Sequence, residues 1–189
     1  GLLIGLAMGR NLLEFGSGKT GATNTLRTLG LGAGVAVFVF DVIKGALPVV
    51  AARLLAWPDD TWTDIAVGCA GAAAIVGHNW SVWVRLLAGR WGGGRGIMTA
   101  LGAGVVATPV VVLVAAAAGG LGLAVTRYVV VGALVGALAA IVGAVVLTAS
   151  GQMSVWLFLG VVAWALLVIW GFQDSIYRLR RGTERRLGD

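Results

Sequence analysis

Charge is scarce in this chain of 189 residues: Asp, Glu, Lys and Arg make up 12% of it, against 59% for the hydrophobic types. No soluble domain of this size has so apolar a composition, because its surface must be covered largely by polar groups. A single cysteine, Cys69, and a single histidine, His78, exclude a disulfide scaffold and a zinc-finger module. The chain also lacks heptads and polar tracts, which excludes a coiled coil and a disordered tail.

What the chain has instead is long stretches without any charged side chain. Residues 65–84, 96–126 and 128–173 form uncharged runs of 20, 31 and 46 residues. About 20 apolar residues are enough for one helical crossing of a bilayer. The composition therefore predicts an all-α, polytopic membrane bundle, and we expect residues 1–189 to form a single domain.

The apolar segments predict about seven transmembrane helices. Residues 1–9 read as the inner half of a first helix whose start is missing. The region 97–126 is too long for one untilted helix and contains Pro109, so it is either one broken helix or two short ones. We count it as two crossings because the basic segments near the two ends of the chain must lie on the same side of the membrane. The other predicted spans are 28–56, 65–84, 128–148 and 154–170.

The positive charges are grouped, although a pI near 10.7 and a net charge of +6 could suggest a nucleic-acid partner. Eleven of the 14 cations fall in the segments 10–27, 85–95 and 178–186. Short basic loops mark the cytoplasmic side of a membrane protein, and the acidic connector 58–61 reads as external. The pattern predicts an outside N-terminus, a cytoplasmic C-terminus and no nucleic-acid partner.

The basic segment 15–27 is also rich in glycine and in hydrogen-bond donors. Closely spaced glycines such as Gly16 and Gly18 let backbone N–H groups converge on an anion, while Lys19 and Arg27 add charge. Side-chain donors come from Ser17, Thr20, Thr23 and Asn24. The segment lacks the spacing and the preceding strand of a nucleotide P-loop. Its pattern predicts a phosphate site, with a simple basic turn as the alternative.

A second glycine-rich segment, Arg90-Trp-Gly-Gly-Gly-Arg-Gly96, predicts another cationic backbone surface beside the bilayer. His78 and Asn79 precede it, either as site residues or as a helix cap or interhelical hydrogen bond. Asp41 and Lys44 stand three residues apart on one helix face. Ionisable groups in a span usually pair inside a bundle, so this pair has either a packing role or a functional one.

These motifs resemble the bacterial membrane glycerol-3-phosphate acyltransferases that use acyl phosphate as donor (PlsY type). The resemblance begins with Gly16-Ser-Gly-x-x-Gly-Ala-Thr-Asn-x-Leu-Arg-x-Leu-Gly30 and continues through Asp41-x-x-Lys-Gly45. It resumes, in the family's order, at Pro48, Gly77-His78, 93–96, 99–102, 126–128 and 176–184.

The resemblance implies a seven-helix fold whose loops meet at the cytoplasmic face of the bacterial inner membrane. The implied reaction joins acyl phosphate and glycerol 3-phosphate to give lysophosphatidic acid and phosphate, without metal or cofactor, in a monomer surrounded by membrane lipids. Catalytic roles are implied for Ser17, Arg27 and Arg95. Substrate contacts are expected from Gly16, Gly18, Lys19, Thr23, Asn24, Lys44, His78, Gly93, Gly94, Ser175 and Glu184.

The chain also departs from the family pattern. The family has Asn at Lys19 and Lys at Gly92 and Arg95, so Lys19 is expected to replace the lysine missing at Gly92. The family's tail His and Asn align with Phe172 and Ser175, and a family Ser aligns with Val130. We expect a divergent but active acyltransferase. The alternatives are a non-catalytic lipid- or phosphate-binding protein on the same fold, and a small transporter whose pathway Asp41 and Lys44 would line.

Overall fold

The computed structural model describes residues 1–55 and 57–188, and every regular element in those ranges is an α-helix. In chain order the helices are α1 (Leu2–Ala7), α2 (Ala22–Leu29), α3 (Leu31–Leu54), α4 (Asp60–Asn79), α5 (Val82–Ala88), α6 (Ile97–Ala107), α7 (Pro109–Thr126), α8 (Val129–Ala149), α9 (Val155–Gly171) and α10 (Gln173–Arg180). The predicted all-α class is confirmed. Ala56, where the second predicted span ends, lies outside the described residues.

Helix breaks shift the ends of two predicted spans. Gly30, with φ at +87°, separates α2 from α3, so the span expected from Thr28 begins at Leu31. Glycine adopts this positive φ without steric cost. The span expected over 65–84 is divided between α4 and the short α5.

Region 97–126 contains two helices, as its length and Pro109 predicted. Pro109 starts α7, a position where a missing N–H breaks no helical bond. However, α6 has 11 residues and so spans about 16 Å, short of the roughly 30 Å of a bilayer core. The stretches long and apolar enough to cross are 31–54, 60–88, 109–126 and 129–149, with a fifth if α9 and α10, bent by 55°, form one span. The count of seven crossings stays a prediction.

Small residues let neighbouring helices approach closely. Gly119 of α7 lies against Gly132 and Gly136 of α8, whose Gly-x-x-x-Gly spacing is typical of close helix packing in membranes. Between α3 and α6, a Cβ on Gly45 would overlap the carbonyl group of Thr99. These contacts bring backbones together where larger side chains would hold the helices apart.

The outer surface of the bundle is apolar. Among the exposed large side chains are Leu31 (71%) and Leu54 (81%) on α3 and Val125 (75%) on α7. A continuous apolar exterior is rare in a soluble monomer and is what lipid contact requires. The protein is therefore a multi-pass membrane protein.

The three basic segments lie at one end of the bundle. The N–H of Thr20 donates to the carbonyl of Gly93 at 3.1 Å and joins the first two segments. A guanidinium N–H of Arg27 donates to the carbonyl of Arg186 at 2.8 Å and joins the first segment to the tail. The acidic connector 58–61 lies between the end of α3 and the start of α4, at the opposite end of the bundle. The basic and acidic segments of the sequence are therefore separated in the fold as well.

Candidate active site

Asn24, in α2, organises the segment between α1 and α2 (the first loop, residues 8–21). Its buried amide group donates to the carbonyls of Leu12, Phe15 and Lys19 at 3.2, 3.0 and 2.8 Å. Its carbonyl oxygen accepts the N–H of Ser17 at 3.0 Å. The loop is thus folded around one inward-turned side chain, which gives Asn24 a shaping role in addition to the expected substrate contact.

Glycine is required at two turns of the first loop. Gly16 and Gly18 have φ values of +61° and +65°, in the left-handed region. A Cβ on Gly16 would also overlap the carbonyl oxygen of Asn24. The two glycines therefore leave Ser17 half-buried at the surface of the candidate site.

The segment between α5 and α6 (the second loop, residues 89–96) is held by backbone hydrogen bonds. The carbonyl of Gly92 accepts the N–H of Ser81 at 2.8 Å, and the N–H of Gly94 donates to the carbonyl of His78 at 3.1 Å. A Cβ on Gly93 would overlap that same His78 carbonyl. The glycines let this loop lie directly on the end of α4.

Asp41, Lys44 and His78 form one polar cluster under the second loop. The Lys44 ammonium group donates to the Asp41 carboxylate at 2.5 Å and contacts Nδ1 of His78. Asp41 Oδ1 and His78 Nδ1 are 3.5 Å apart. Asp41 and His78 are buried, whereas Lys44 remains partly exposed. The predicted Asp41–Lys44 pair is present, and it includes the histidine as a third member.

Arg95 brings a positive charge into the same region. Its guanidinium carbon lies 4.8 Å from the centre of the Phe172 ring. Burial lowers the pKa of Arg95, while the nearby carboxylate of Glu184 acts in the opposite direction. An arginine nevertheless stays protonated at neutral pH.

Helix α10 and the residues after it complete the polar end of the bundle. Lys19 pairs with Asp174 at 3.1 Å. Arg178 donates to Ser175 at 2.8 Å and to Glu184 at 2.6 Å. Ser175 and Glu184, expected as substrate contacts, are thus tied to each other through Arg178.

These elements enclose a small polar pocket. It is lined by the two loops, by α2, α3, α4, α6 and α8, and by the joint between α9 and α10. Six of the predicted site residues line it: Ser17, Lys19, Thr23, Asn24, His78 and Arg95. The structure therefore brings both predicted anion-binding loops to one site.

The other predicted residues lie outside the lining. The two loops take their shape from Gly16, Gly18, Gly93 and Gly94. Lys44 is bonded to the lining residue Asp41. Arg27, Ser175 and Glu184 are absent from the described lining residues. The exposed side chain of Arg27 is bonded to the tail, as given above.

A long apolar groove of about 510 Å³ begins at the polar pocket. It runs between α2, α3, α6, α7, α8 and α9, over a floor of glycine and alanine residues. Pocket and groove share the lining residues Ala22, Thr23, Ile97, Met98 and Val129. The site therefore offers cations and hydrogen-bond donors at one end and a lipid-like surface at the other.

Sequence reasoning missed this groove and eight of the 14 residues that line the pocket, among them Phe172 and Asp41. From the sequence, Asp41 reads as part of a charge pair and Phe172 as the loss of a polar group. The sequence of α7 and α8 carries no information about the open space beside those helices.

Fold and site together define a membrane protein that places a cationic pocket at the end of an apolar groove. A family model described as Glycerol-3-phosphate acyltransferase matches residues 1–182. The chain is 37% identical over 189 residues to a glycerol-3-phosphate acyltransferase of Thermus thermophilus, covering 100% of this chain and 88% of the relative. Its identity to the Gloeobacter violaceus enzyme of the same name is 41% over 179 residues, or 95% and 82% of the two chains.

Solved structures agree. The crystal structure of PlsY, an integral membrane glycerol 3-phosphate acyltransferase, in its glycerol 3-phosphate form matches with a TM-score of 0.84 and 29% identity, covering 98% of this chain and 86% of the other. The lysophosphatidic acid form matches with a TM-score of 0.75, covering 90% and 80%. The chain belongs to the glycerol-3-phosphate acyltransferase family, which confirms the resemblance. It is a membrane acyltransferase.

Proposed function

We propose that this chain transfers an acyl group from acyl phosphate to glycerol 3-phosphate, giving lysophosphatidic acid and inorganic phosphate. The two solved relatives are described as a glycerol 3-phosphate form and a lysophosphatidic acid form. These compounds are the acceptor and the product of the reaction. Their presence in relatives of this fold supports the acceptor half of the proposal.

The single observation that supports the donor half is the continuity of the polar pocket with the apolar groove. An acyl phosphate has an anionic head and a long apolar chain. The five shared lining residues allow the head to lie beside Arg95 and Lys19 while the chain follows the groove. A water-soluble donor would leave that groove without a function.

The chemistry asks little of the protein beyond positioning. A hydroxyl oxygen of glycerol 3-phosphate attacks the acyl carbon, the bond from that carbon to the bridging phosphate oxygen breaks, and phosphate leaves. The hydroxyl proton passes to the leaving phosphate, which balances the step without a metal or a covalent enzyme intermediate. Fixed donors that orient two anions and stabilise the developing oxyanion supply the catalysis.

Residue roles follow from the placement of each side chain. Ser17 and Arg95 are proposed to contact the reacting groups from the pocket lining. Gly16, Gly18, Gly93 and Gly94 would present the loop backbones, while the other predicted contacts, including Lys44 and Ser175, would hold the surrounding charges. Arg27 has one N–H bonded to the carbonyl of Arg186, and a phosphate contact would use its remaining donors.

The proposed setting is a bacterial inner membrane, with the polar pocket on the cytoplasmic side and the enzyme working as a monomer among membrane lipids. The grouping of the basic segments at one end supports this orientation, because short basic loops stay on the cytoplasmic side. Glycerol 3-phosphate would then reach the pocket from the cytoplasm and the acyl chain from the bilayer.

Two other functions predict different behaviour. A lipid- or phosphate-binding protein would retain ligands without turnover, and a transporter would use Asp41 and Lys44 as part of a pathway. In the structure this pair contacts His78, and Asp41 and His78 line the same pocket as the loops, which favours a role in the site.

Purified protein in liposomes tests the proposal. With palmitoyl phosphate and labelled glycerol 3-phosphate, lysophosphatidic acid should form in proportion to enzyme and time. Palmitoyl-coenzyme A in place of palmitoyl phosphate should give no product. Ligand retention without product would favour the binding protein, and uptake of label without product would favour the transporter.

A further inference from the structure

The guanidinium group of Arg95 and the ring of Phe172 form the one arginine–aromatic contact found among the described lining residues of the pocket. Their separation, 4.8 Å from Cζ to the ring centre, is within the range of a cation–π interaction. Phe172 is 1% exposed, so the ring is fixed and water is kept from one face of the guanidinium. Such contacts are strongest when they are desolvated.

The backbone around Phe172 is built for this approach. Phe172 lies at the 55° bend between α9 and α10. A Cβ on the preceding Gly171 would lie 2.9 Å from the carbonyl oxygen of Arg95, so only glycine lets the bend come so near to the second loop. On its other side, Phe172 belongs to a buried apolar cluster with Val130 and Val168.

That cluster accounts for two departures from the family pattern together. Phe172 and Val130 stand where polar residues were expected, and they belong to the same buried cluster. An apolar residue at one position suits an apolar residue at the other, because neither leaves a buried polar group without a partner. The two changes are therefore consistent with a change from polar to apolar packing beside the pocket.

Arg95 retains unused hydrogen-bonding capacity. Its Nε and Nη2 groups are buried and have no hydrogen-bond partner in the described part of the chain. A buried charged donor without a partner is costly, so such groups usually serve a ligand or a bound water. A guanidinium that packs on a ring with its flat face keeps its N–H edge available, which a lysine ammonium group cannot do in the same way.

We infer that Phe172 is a positioning residue that holds Arg95 with its Nε–H and Nη2–H groups directed at the anionic head of the acyl phosphate. The inference rests on the proposed function for the identity of that head. It explains why an arginine stands in the second loop of a chain that has a phenylalanine at the α9–α10 bend. The stacked pair would act as one unit.

Kinetics in detergent or liposomes test whether Phe172 and Arg95 act together. Phe172→Leu keeps an apolar side chain but removes the ring face, and we expect it to raise KM for palmitoyl phosphate about 10- to 30-fold, the range of a desolvated cation–π contact. The KM for glycerol 3-phosphate should change less than 3-fold. Phe172→Tyr should remain within about 3-fold of the natural protein. In an Arg95→Lys background, Phe172→Leu should add less than 3-fold, because the stacked partner is already gone.

The matched control is Phe158, a phenylalanine of α9 that packs against the main apolar core. Phe158→Leu should leave both KM values unchanged. Phe172→Met serves as a second ring-free variant if Phe172→Leu does not fold. Equal effects of Phe172→Leu and Phe158→Leu, or additive effects of Phe172→Leu and Arg95→Lys, would overturn the inference.

Binding of a non-reactive palmitoyl phosphonate separates this inference from the proposed function. If the natural protein makes no lysophosphatidic acid but binds the phosphonate with the same variant pattern, the proposed function fails and the positioning role stands. If it turns over acyl phosphate while Phe172→Leu binds the phosphonate as tightly as the natural protein, the positioning role fails alone. If the natural protein neither turns over the donor nor binds the phosphonate, both fail.

Discussion

Gly94 and His78 touch through both backbone and side chain. The N–H of Gly94 donates to the carbonyl of His78 at 3.1 Å, and a Cβ added to Gly94 would overlap Nε2 of the same histidine. The second loop therefore rests on the imidazole ring, which is itself in contact with Lys44. Glycine is needed here for close packing, whereas the sequence alone indicated a cationic backbone surface.

Gly94→Ala should therefore damage the site. The new methyl group must push the loop away from His78, and overpacking of this kind costs about 1–3 kcal/mol. We expect a lower Tm in detergent and at least a 100-fold loss of kcat/KM. Gly92→Ala is the control, since its Cβ would meet only Val84 Cγ1 at 3.6 Å, and it should behave like the natural protein. Equal activity of the two variants would show that the loop is not held by this contact.

Asn24→Ala should unfold the first loop locally. The change leaves three backbone carbonyls and one N–H without the hydrogen-bond partner that Asn24 supplies. Each buried polar group left unbonded lowers the free energy of unfolding by about 1–3 kcal/mol. Thermal unfolding should shift downward and KM for glycerol 3-phosphate should rise at least 10-fold. Asn11→Ala, in the same loop, removes one hydrogen bond to the exposed Glu14 and one from the N–H of Leu13, and should change both quantities much less. A Tm drop in Asn11→Ala equal to that in Asn24→Ala would contradict the account.

Asp41→Asn should destabilise the protein through Lys44. The Asp41 carboxylate is buried and accepts the ammonium hydrogen bond, and a bond between charged groups contributes about 1.5–3 kcal/mol before solvent screening of the half-exposed lysine reduces it. The double variant Asp41→Asn/Lys44→Met should recover part of the loss, because no unpaired ammonium group remains. Chemical denaturation measures both changes. Strictly additive effects would mean that the two residues act independently.

Lys19→Asn tests whether Lys19 substitutes for a lysine at Gly92. Lys19 lines the pocket but also pairs with the exposed Asp174, an ion pair worth less than about 1 kcal/mol. We expect Lys19→Asn to lower kcat/KM at least 10-fold and Lys19→Asn/Gly92→Lys to restore most of it, since the space beside Gly92 is open. Asp174→Asn removes only the ion pair and should have a small effect. If Asp174→Asn were as harmful as Lys19→Asn, the lysine would serve the ion pair alone.

The sequence predicted features that depend on local pattern. Uncharged runs predicted the helical membrane class, and the three-residue spacing predicted the contact of Asp41 with Lys44. Each of these follows from the geometry of one helix or from the cost of charge in lipid. The structure confirms these features for that reason.

Features that depend on distant contacts could not be predicted in this way. The Phe172 ring contacts Arg95 because Phe172 lies at the bend between α9 and α10, and a single sequence does not show that bend. Likewise, Asn24 looked like a donor for a ligand until its amide was found turned into its own loop. The apolar groove is a space between six helices, so no one segment carried a signal for it.

The measurement that tests the central claim most directly is the stoichiometry of the reaction catalysed by purified protein. With palmitoyl phosphate and glycerol 3-phosphate supplied, the account predicts one inorganic phosphate released for each lysophosphatidic acid formed, and loss of both products in Arg95→Gln. Phosphate release without lysophosphatidic acid, or full activity of Arg95→Gln, would contradict it.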